Sequence, residues 1–322
     1  MQPQTAPLAP SPDIDAASGS FAADLARGLA ATPKRLAPKY FYDAVGSALF
    51  EDITELPEYY PTRTEVEILT THAADIAALV PAGAALVEFG SGSSTKVRLL
   101  LSHLRDLSAY VPVDISRDFL EEAAQALRAD VPGLTVLPVA ADFTQPFALP
   151  DAVWGRPLVG FFPGSTIGNF DPEDARRFLA NAKDTLGAGA HMVVGVDLVK
   201  DPRVLHAAYN DAAGVTARFN LNLLHRANRE LGTDFDVAAF SHRAVFNAPA
   251  SRIEMHLVSR RPQVVHLNGR TFSFAEGENL HTESSYKYTA AGFTELAESA
   301  GWTSQAVLTD PAGLFSVHIL AG

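Results

Sequence analysis

Leu86-Val87-Glu88-Phe89-Gly90-Ser91-Gly92-Ser93-Ser94-Thr95-Lys96 decides how the rest of this 322-residue chain is read. An apolar run ends in an acid, passes through two glycines and enters a polar stretch with a helical start. That is a buried strand turning into a helix, with Gly90 and Gly92 letting backbone approach a ligand and the helix N-terminus favouring negative charge. In open α/β sheets ligands sit outside the carboxyl ends of the strands, which places a site at this turn. A dinucleotide fingerprint needs a third glycine where Thr95 stands, and no G-x-x-x-x-G-K-[ST] run is present.

Alternation extends outward from this turn. A helix is expected over residues 64–80, a strand over 84–89, a helix over 94–104, a strand over 109–113, a helix over 116–128 and a strand over 135–139. A strand at 157–162, a helix at 172–186 and a strand at 191–196 follow, so the fold class is α/β with a parallel, doubly wound sheet. After Lys200 the alternation stops. Helical patterns at 203–219 and 221–231 and strand patterns at 252–259 and 263–267 precede a final helix (289–300) and two strands (303–308, 315–320). The excursion reads as an inserted second domain. Its companion is the aromatic segment 33–61, expected to be loop-rich, with a short helix at 21–31 before it. Residues 1–18, rich in Pro, Ala and Ser, read as a disordered tail.

Composition narrows the function. With 47% hydrophobic and 19% charged residues the chain is an ordinary globular protein, and its net charge of −12 argues against a nucleic-acid partner. It has no cysteine, which removes disulfides, thiolate zinc and Cys nucleophiles, and its ten scattered histidines show no metal-ligand spacing. No apolar run reaches the roughly 18 residues of a spanning helix, so no membrane partner and a cytoplasmic location are expected.

Two further acids fall at strand ends. Asp114 closes the second strand, where a carboxylate can take paired ribose hydroxyls. Asp142 closes the third, where it and Phe143 can read and cover an adenine; each acid can equally be a helix N-cap. Lys96 opposes the helix dipole, so it either meets a ligand carboxylate or is a solvated surface lysine. Past the fourth strand, Phe161–Phe170 forms a polar, glycine-flanked loop in which Asn169 offers both donors and acceptors, or else caps the helix beginning at Pro172.

The turn resembles the first motif of class I methyltransferases. The runs Pro38–Ser47, Leu56–Glu65, Gly164–Asn169, Asp197–Asp201, Tyr209–Asn220, Arg252–Met255 and Thr282–Ser285 resemble the histidine-specific methyltransferases of ergothioneine biosynthesis, in order along the chain. The resemblance implies a class I methyltransferase (Rossmann-like) doubly wound sheet of residues 62–199 and 288–322. It implies a second α+β substrate-binding domain from 19–61 and 200–287. It implies S-adenosyl-L-methionine as cofactor, held by Gly90, Gly92, Lys96, Asp114, Asp142 and Phe143. It implies L-histidine and its methylated intermediates as substrates, with Asn169 and Tyr209 at the backbone end and Tyr59, Glu283 and Ser285 at the imidazole. Tyr42 and Met255 line the same pocket, and Asn169 and Tyr42 take the catalytic positions. The product would be hercynine, the Nα-trimethylated betaine. No metal is expected from the scattered histidines, and a monomer is expected.

Methyl transfer from a sulfonium is an in-line displacement that needs alignment more than a strong base. Glu283 suits an imidazole N–H, although it could instead be a surface acid beside Lys287. Three other readings compete. An N-methyltransferase for tryptophan or another aromatic amino acid or amine would lack the acid at Glu283. A non-catalytic cofactor sensor would lack the convergent polar set, and a dinucleotide oxidoreductase would have a glycine at Thr95.

Overall fold

The computed structural model describes residues 20–91, 95–104 and 106–322, with the side chains of 118 and 119 outside the description. The expected tail at 1–18 and the cofactor position Gly92 lie outside the described residues. The chain opens with α1 (Phe21–Ala30), β1 (Lys34–Arg35), α2 (Ala44–Thr54), α3 (Tyr60–Thr71) and α4 (Ala73–Ala78). Next come β2 (Ala85–Phe89), α5 (Thr95–Leu101), β3 (Ala109–Asp114), α6 (Arg117–Asp130), β4 (Val139–Ala140), β5 (Leu158–Phe162), α7 (Pro172–Leu186) and β6 (His191–Asp197). The excursion holds α8 (Pro202–Tyr209), α9 (Val215–Leu231), β7 (Phe240–Asn247), β8 (Arg252–Ser259), β9 (Gln263–Leu267), β10 (Arg270–Phe274) and β11 (Asn279–Tyr286). The chain closes with α10 (Ala290–Ser299), β12 (Thr303–Thr309) and β13 (Phe315–Ala321).

Seven strands form the main sheet in the order β12-β13-β6-β5-β2-β3-β4. β2, β3, β4, β5 and β6 run parallel, whereas β13 is antiparallel to both β6 and β12. Neighbours of β2 lie on both sides, β3 following it directly and β5 returning across it, so the crevice opens at its carboxyl end. All five residues of β2 are buried, as a strand covered on both faces requires. One face packs on Phe178, Leu179 and Phe293 of α7 and α10, the other on Ile68, Val97, Leu100 and Leu127 of α3, α5 and α6.

A second sheet runs β1-β11-β8-β7, with β1 parallel to β11 and the other pairs antiparallel, beside the hairpin β9–β10. Its core combines Leu25, Tyr40, Phe41 and Ile53 from the N-terminal segment with Phe219, Leu223, Met255 and Leu257 from the excursion.

Several expected elements change. The helix expected over 64–80 is two, parted at His72, where φ is −110°. The third strand of the main sheet shrinks to β4 plus one bridge between Tyr110 and Val136. The segment expected to be loop-rich carries α2, because the Asp43 carboxylate accepts the Gly46 N–H at 2.7 Å and caps it. The helix expected over 203–219 breaks at 210–214: Gly214 takes φ 67° and Asp211 accepts the Val215 and Thr216 N–H groups, starting α9 afresh. β7, β10 and β11 are additions. β11 reads as polar (NLHTESSY) because it buries hydroxyls and a carboxylate instead of aliphatic groups.

Candidate functional site

At the tip of β2, Gly90 adopts φ 76°, and a Cβ there would stand 3.3 Å from the Phe143 ring. Glycine thus serves both the left-handed turn and the close approach of that ring. Glu88 is buried and accepts from the Tyr110 hydroxyl. Burial raises its pKa to about 8, against the Tyr110 hydrogen bond and the Lys96 charge. Asp114 ends β3 as expected, accepting the Ser116 N–H at 3.0 Å; burial raises its pKa over the opposing backbone donors. Asp142 lies two residues beyond β4, not on it, and accepts the Thr144 N–H at 3.0 Å and hydroxyl at 2.5 Å. Lys39 of the N-terminal segment stands 3.8 Å from its other oxygen.

Lys96 is not a solvated surface lysine. It pairs at 2.6 Å with Glu65, whose side chain is 1% exposed. The Glu65 carboxylate also accepts the Gly164 N–H at 2.9 and 3.0 Å. It fits only because residue 195 is glycine: a Cβ there would fall 2.0 Å from Glu65 Oε1. Glu65 therefore ties Lys96 at the start of α5 to the loop that follows β5.

That loop is held in a strained shape. Ser165 takes φ 55° without being glycine, a sparsely populated conformation found preferentially at functional sites. Its Oγ accepts the Asp197 N–H at 2.9 Å, and Gly168 lies so near Tyr286 that a Cβ would meet the Tyr286 carbonyl oxygen at 2.8 Å. Asn169 ends the short 3-10 turn Thr166–Asn169 between β6 and β11, half-buried, its amide without a partner among the described residues.

The second sheet supplies the rest. Pairing of β11 with β8 slips between His281 and Glu283, and the Thr282 hydroxyl donates to the Met255 carbonyl at 3.1 Å. A bulge of this kind re-aims side chains. Glu283 then sits opposite Met255, buried, with no hydrogen bond or ion pair among the described residues. Burial raises its pKa to about 7, partly offset by the Lys287 charge. The Tyr209 hydroxyl donates to Ser285 Oγ at 2.8 Å, and the Tyr209 and Tyr59 rings meet edge-on at 6.5 Å.

Tyr42 leaves 38% of its surface accessible, yet burial among protein groups raises its hydroxyl pKa, with Glu283, Tyr209 and Asp114 adding to the rise. This side chain feels an acid from each half. Tyr59 is raised by burial and then by Tyr209, Tyr42 and Glu283. Tyr42, Tyr59, Tyr209, Met255, Glu283 and Ser285 thus converge, although up to 243 positions separate them in sequence.

Sequence reasoning missed what stands behind them. Asp197, at the end of β6, meets Lys287 at 2.7 Å, Lys200 at 2.5 Å and the Tyr60 hydroxyl at 2.8 Å. Burial pushes its carboxyl up, but the two ammonium groups outweigh that and hold it below the ordinary range. Burial lowers Lys200 to about 8 against the pull of Asp197; burial also pulls Lys287 down, but the charges of and hydrogen bonds to Asp197 and Tyr209 together outweigh it and raise its pKa. Lys287 is therefore buried beside Asp197, not a surface partner of Glu283. The hint was the charged run Asp197–Asp201 directly after a buried strand.

Among the described residues no group of three or more His, Asp or Glu could hold a metal ion, and no helix is long and apolar enough to cross a membrane.

The strand order, with an antiparallel strand inserted beside the last parallel one and a ligand crevice at the β2 tip, is that of a class I methyltransferase. Residues 21–322 match the family described as histidine-specific methyltransferase, SAM-dependent, and the chain belongs to that family. It is 46% identical over 311 residues to a histidine N-alpha-methyltransferase of Mycolicibacterium smegmatis, spanning 95% of this chain and 96% of that one. It is 41% identical over 312 residues to the protein of that name from Mycobacterium tuberculosis, again 95% and 96%. Ergothioneine biosynthesis protein 1 of Neurospora crassa is 37% identical over 209 residues, 62% of this chain and 23% of that protein.

Proposed function

We propose that this chain transfers methyl groups from S-adenosyl-L-methionine to the α-amino nitrogen of L-histidine, three times in succession, giving hercynine for ergothioneine biosynthesis. The observation that carries the choice of histidine is Glu283: a buried carboxylate with no hydrogen bond or ion pair among the described residues, whose charge acts on the Tyr42, Tyr59 and Tyr209 hydroxyls. An unpaired buried acid is costly unless a ligand completes it, and an imidazole N–H does so where an apolar ring cannot. Tryptophan, the other acceptor worth weighing, offers an N–H on a larger ring but no nitrogen lone pair for the facing hydroxyl of Ser285.

The donor-side residues fit the cofactor on their own chemistry. Gly90 and Phe143 form a cradle that a Cβ would crowd, Asp114 offers a strand-end carboxylate to ribose hydroxyls, and Asp142 with Phe143 can read and cover an adenine. Lys96 is the cation for an amino-acid carboxylate and has Glu65 as its resting partner. When bound, the cofactor supplies an electrophilic methyl on sulfur. The chain aligns the nitrogen lone pair with it, Asn169 and Tyr209 holding the backbone end and Glu283 the ring, with Tyr42 closing the space between the two halves. Alignment of this kind is worth roughly 7–11 kcal/mol. A free α-amine has a pKa near ~8, so it enters partly unprotonated at neutral pH without a strong base.

Mass spectrometry of a screen across the amino acids with S-adenosyl-L-methionine tests this directly. Histidine is expected to gain one, two and then three methyl groups. Methylation of tryptophan or tryptamine with histidine untouched would overturn the assignment.

A further inference from the structure

Behind the acceptor site a buried ammonium fixes which way a hydroxyl points. Lys287 Nζ donates to Ser285 Oγ at 2.8 Å and to Tyr209 Oη at 3.1 Å. The two hydroxyls lie 2.8 Å apart, with Tyr209 donating to Ser285. An ammonium carries donors only, and each hydroxyl owns one proton and two acceptor lone pairs. Ser285 Oγ therefore accepts twice, and its own proton has no acceptor inside the cluster. Its outward edge is a donor.

Two residues earlier on the same strand, in unbroken register, stands Glu283. Side chains two apart on a strand share a face about 7 Å apart. One offers an acceptor and the other a donor. A neutral imidazole carries the matching pair, an N–H and a bare nitrogen on opposite sides of a small ring, one hydrogen bond from each group.

We propose that Lys287 is a positioning residue that locks Ser285 as a hydrogen-bond donor, so that Glu283 and Ser285 together accept the neutral imidazole in one orientation. This rests on histidine being the acceptor. The test pairs histidine with β-(pyrrol-3-yl)alanine, which keeps the ring N–H but has carbon where histidine has the bare nitrogen. kcat and KM are measured for both with the wild type, Ser285→Ala and Lys287→Met; in the last, Lys200 and Tyr60 remain on Asp197.

The wild type is expected to favour histidine over the pyrrole by about ten- to a hundredfold in kcat/KM, the usual cost of an unmatched buried donor. Each variant is expected to bring that ratio to within about threefold by raising KM for histidine, with kcat and the pyrrole little changed, the mark of lost ground-state binding. Equal losses for both substrates would overturn the proposal, because they would place Lys287 in the fold alone or the hydroxyl pair on the shared carboxylate. If Lys287→Met does not fold, the double variant Asp197→Asn/Lys287→Met, which removes both charges of the pair, is read by the same ratio. A wild type that leaves histidine unmethylated sinks the functional reading itself, which is a different result from equal losses.

Discussion

The two halves of the site handle their carboxylates in opposite ways. On the donor side each acid already has a donor from the chain: Tyr110 for Glu88, the Ser116 N–H for Asp114, Thr144 for Asp142 and Lys96 for Glu65. On the acceptor side Glu283 has none among the described residues, while Asp197 behind it is held by Lys200, Lys287 and Tyr60. One half is finished before its ligand arrives. The other leaves the Glu283 carboxylate without a hydrogen bond or ion pair among the described residues, with the Asp197 ion pairs nearby along the chain, so that a ligand able to donate to it gains by completing it. On the proposed function, preorganisation would bind the common donor and selection would fall to the unpaired acid.

The contrast predicts graded responses. The largest belongs to Asp197→Ala, which strands two buried ammonium groups; uncompensated buried charge costs about 3–5 kcal/mol, so the urea midpoint should fall sharply. An unchanged midpoint would mean the cluster does not support the acceptor half.

Next comes the pH dependence of Glu283. Its pKa rises from 4.5 to about 7 on folding, so the folded state holds the proton more tightly than the unfolded one. The stability this contributes is full below pH 4.5 and is lost as pH rises through 7. Glu283→Gln is therefore expected to gain on the wild type by about 3 kcal/mol between pH 4 and pH 8, a shift of this size being worth 1.36 kcal/mol per pKa unit. Denaturation of both proteins across that range checks it; parallel curves would show that Glu283 has a partner.

Glu283→Ala should lower kcat/KM for histidine about a hundredfold while calorimetry finds the S-adenosyl-L-methionine affinity within about twofold of wild type. Matching losses of both would take Glu283 out of the acceptor pocket. The smallest effect is the mirror of this one. Gly90→Ala, at φ 76° and facing Phe143 at 3.3 Å, should cost about 1–2 kcal/mol of stability and weaken the methyl donor's binding about tenfold. The histidine KM should hardly move, and a shift in that constant would blur the division between the halves.

The same division governs what could be read from the sequence. The first half is local: Glu88 lies in β2, Gly90 follows it and Lys96 stands in the first turn of α5, while Asp114 closes its own apolar strand, so periodicity and glycines reveal both. The acceptor half is assembled from residues as far apart as Tyr42 and Ser285. Its key strand, Asn279–Tyr286, has no aliphatic alternation, because what it buries is Thr282, Glu283, Ser284 and Ser285. Only resemblance reached those residues. Nothing in composition or spacing revealed that Lys287 turns inward to Asp197 or that Gly195 makes room for Glu65, since both depend on contacts between distant segments. β7 was missed for a related reason: its half-buried pattern does not alternate every second residue.

The pairing of Lys34 and Arg35 with Leu280 and His281 has a consequence for the life of the molecule before it is a finished enzyme. The strand bearing Glu283 lies between β1 near the start of the chain and β8 far along it, and such long-range closure is slow. A nascent chain that has emerged only as far as β6 already holds the five parallel strands β2 to β6. It still lacks every strand of the second sheet except two residues. The sheet that carries Glu283 can therefore close only after the five parallel strands have been made.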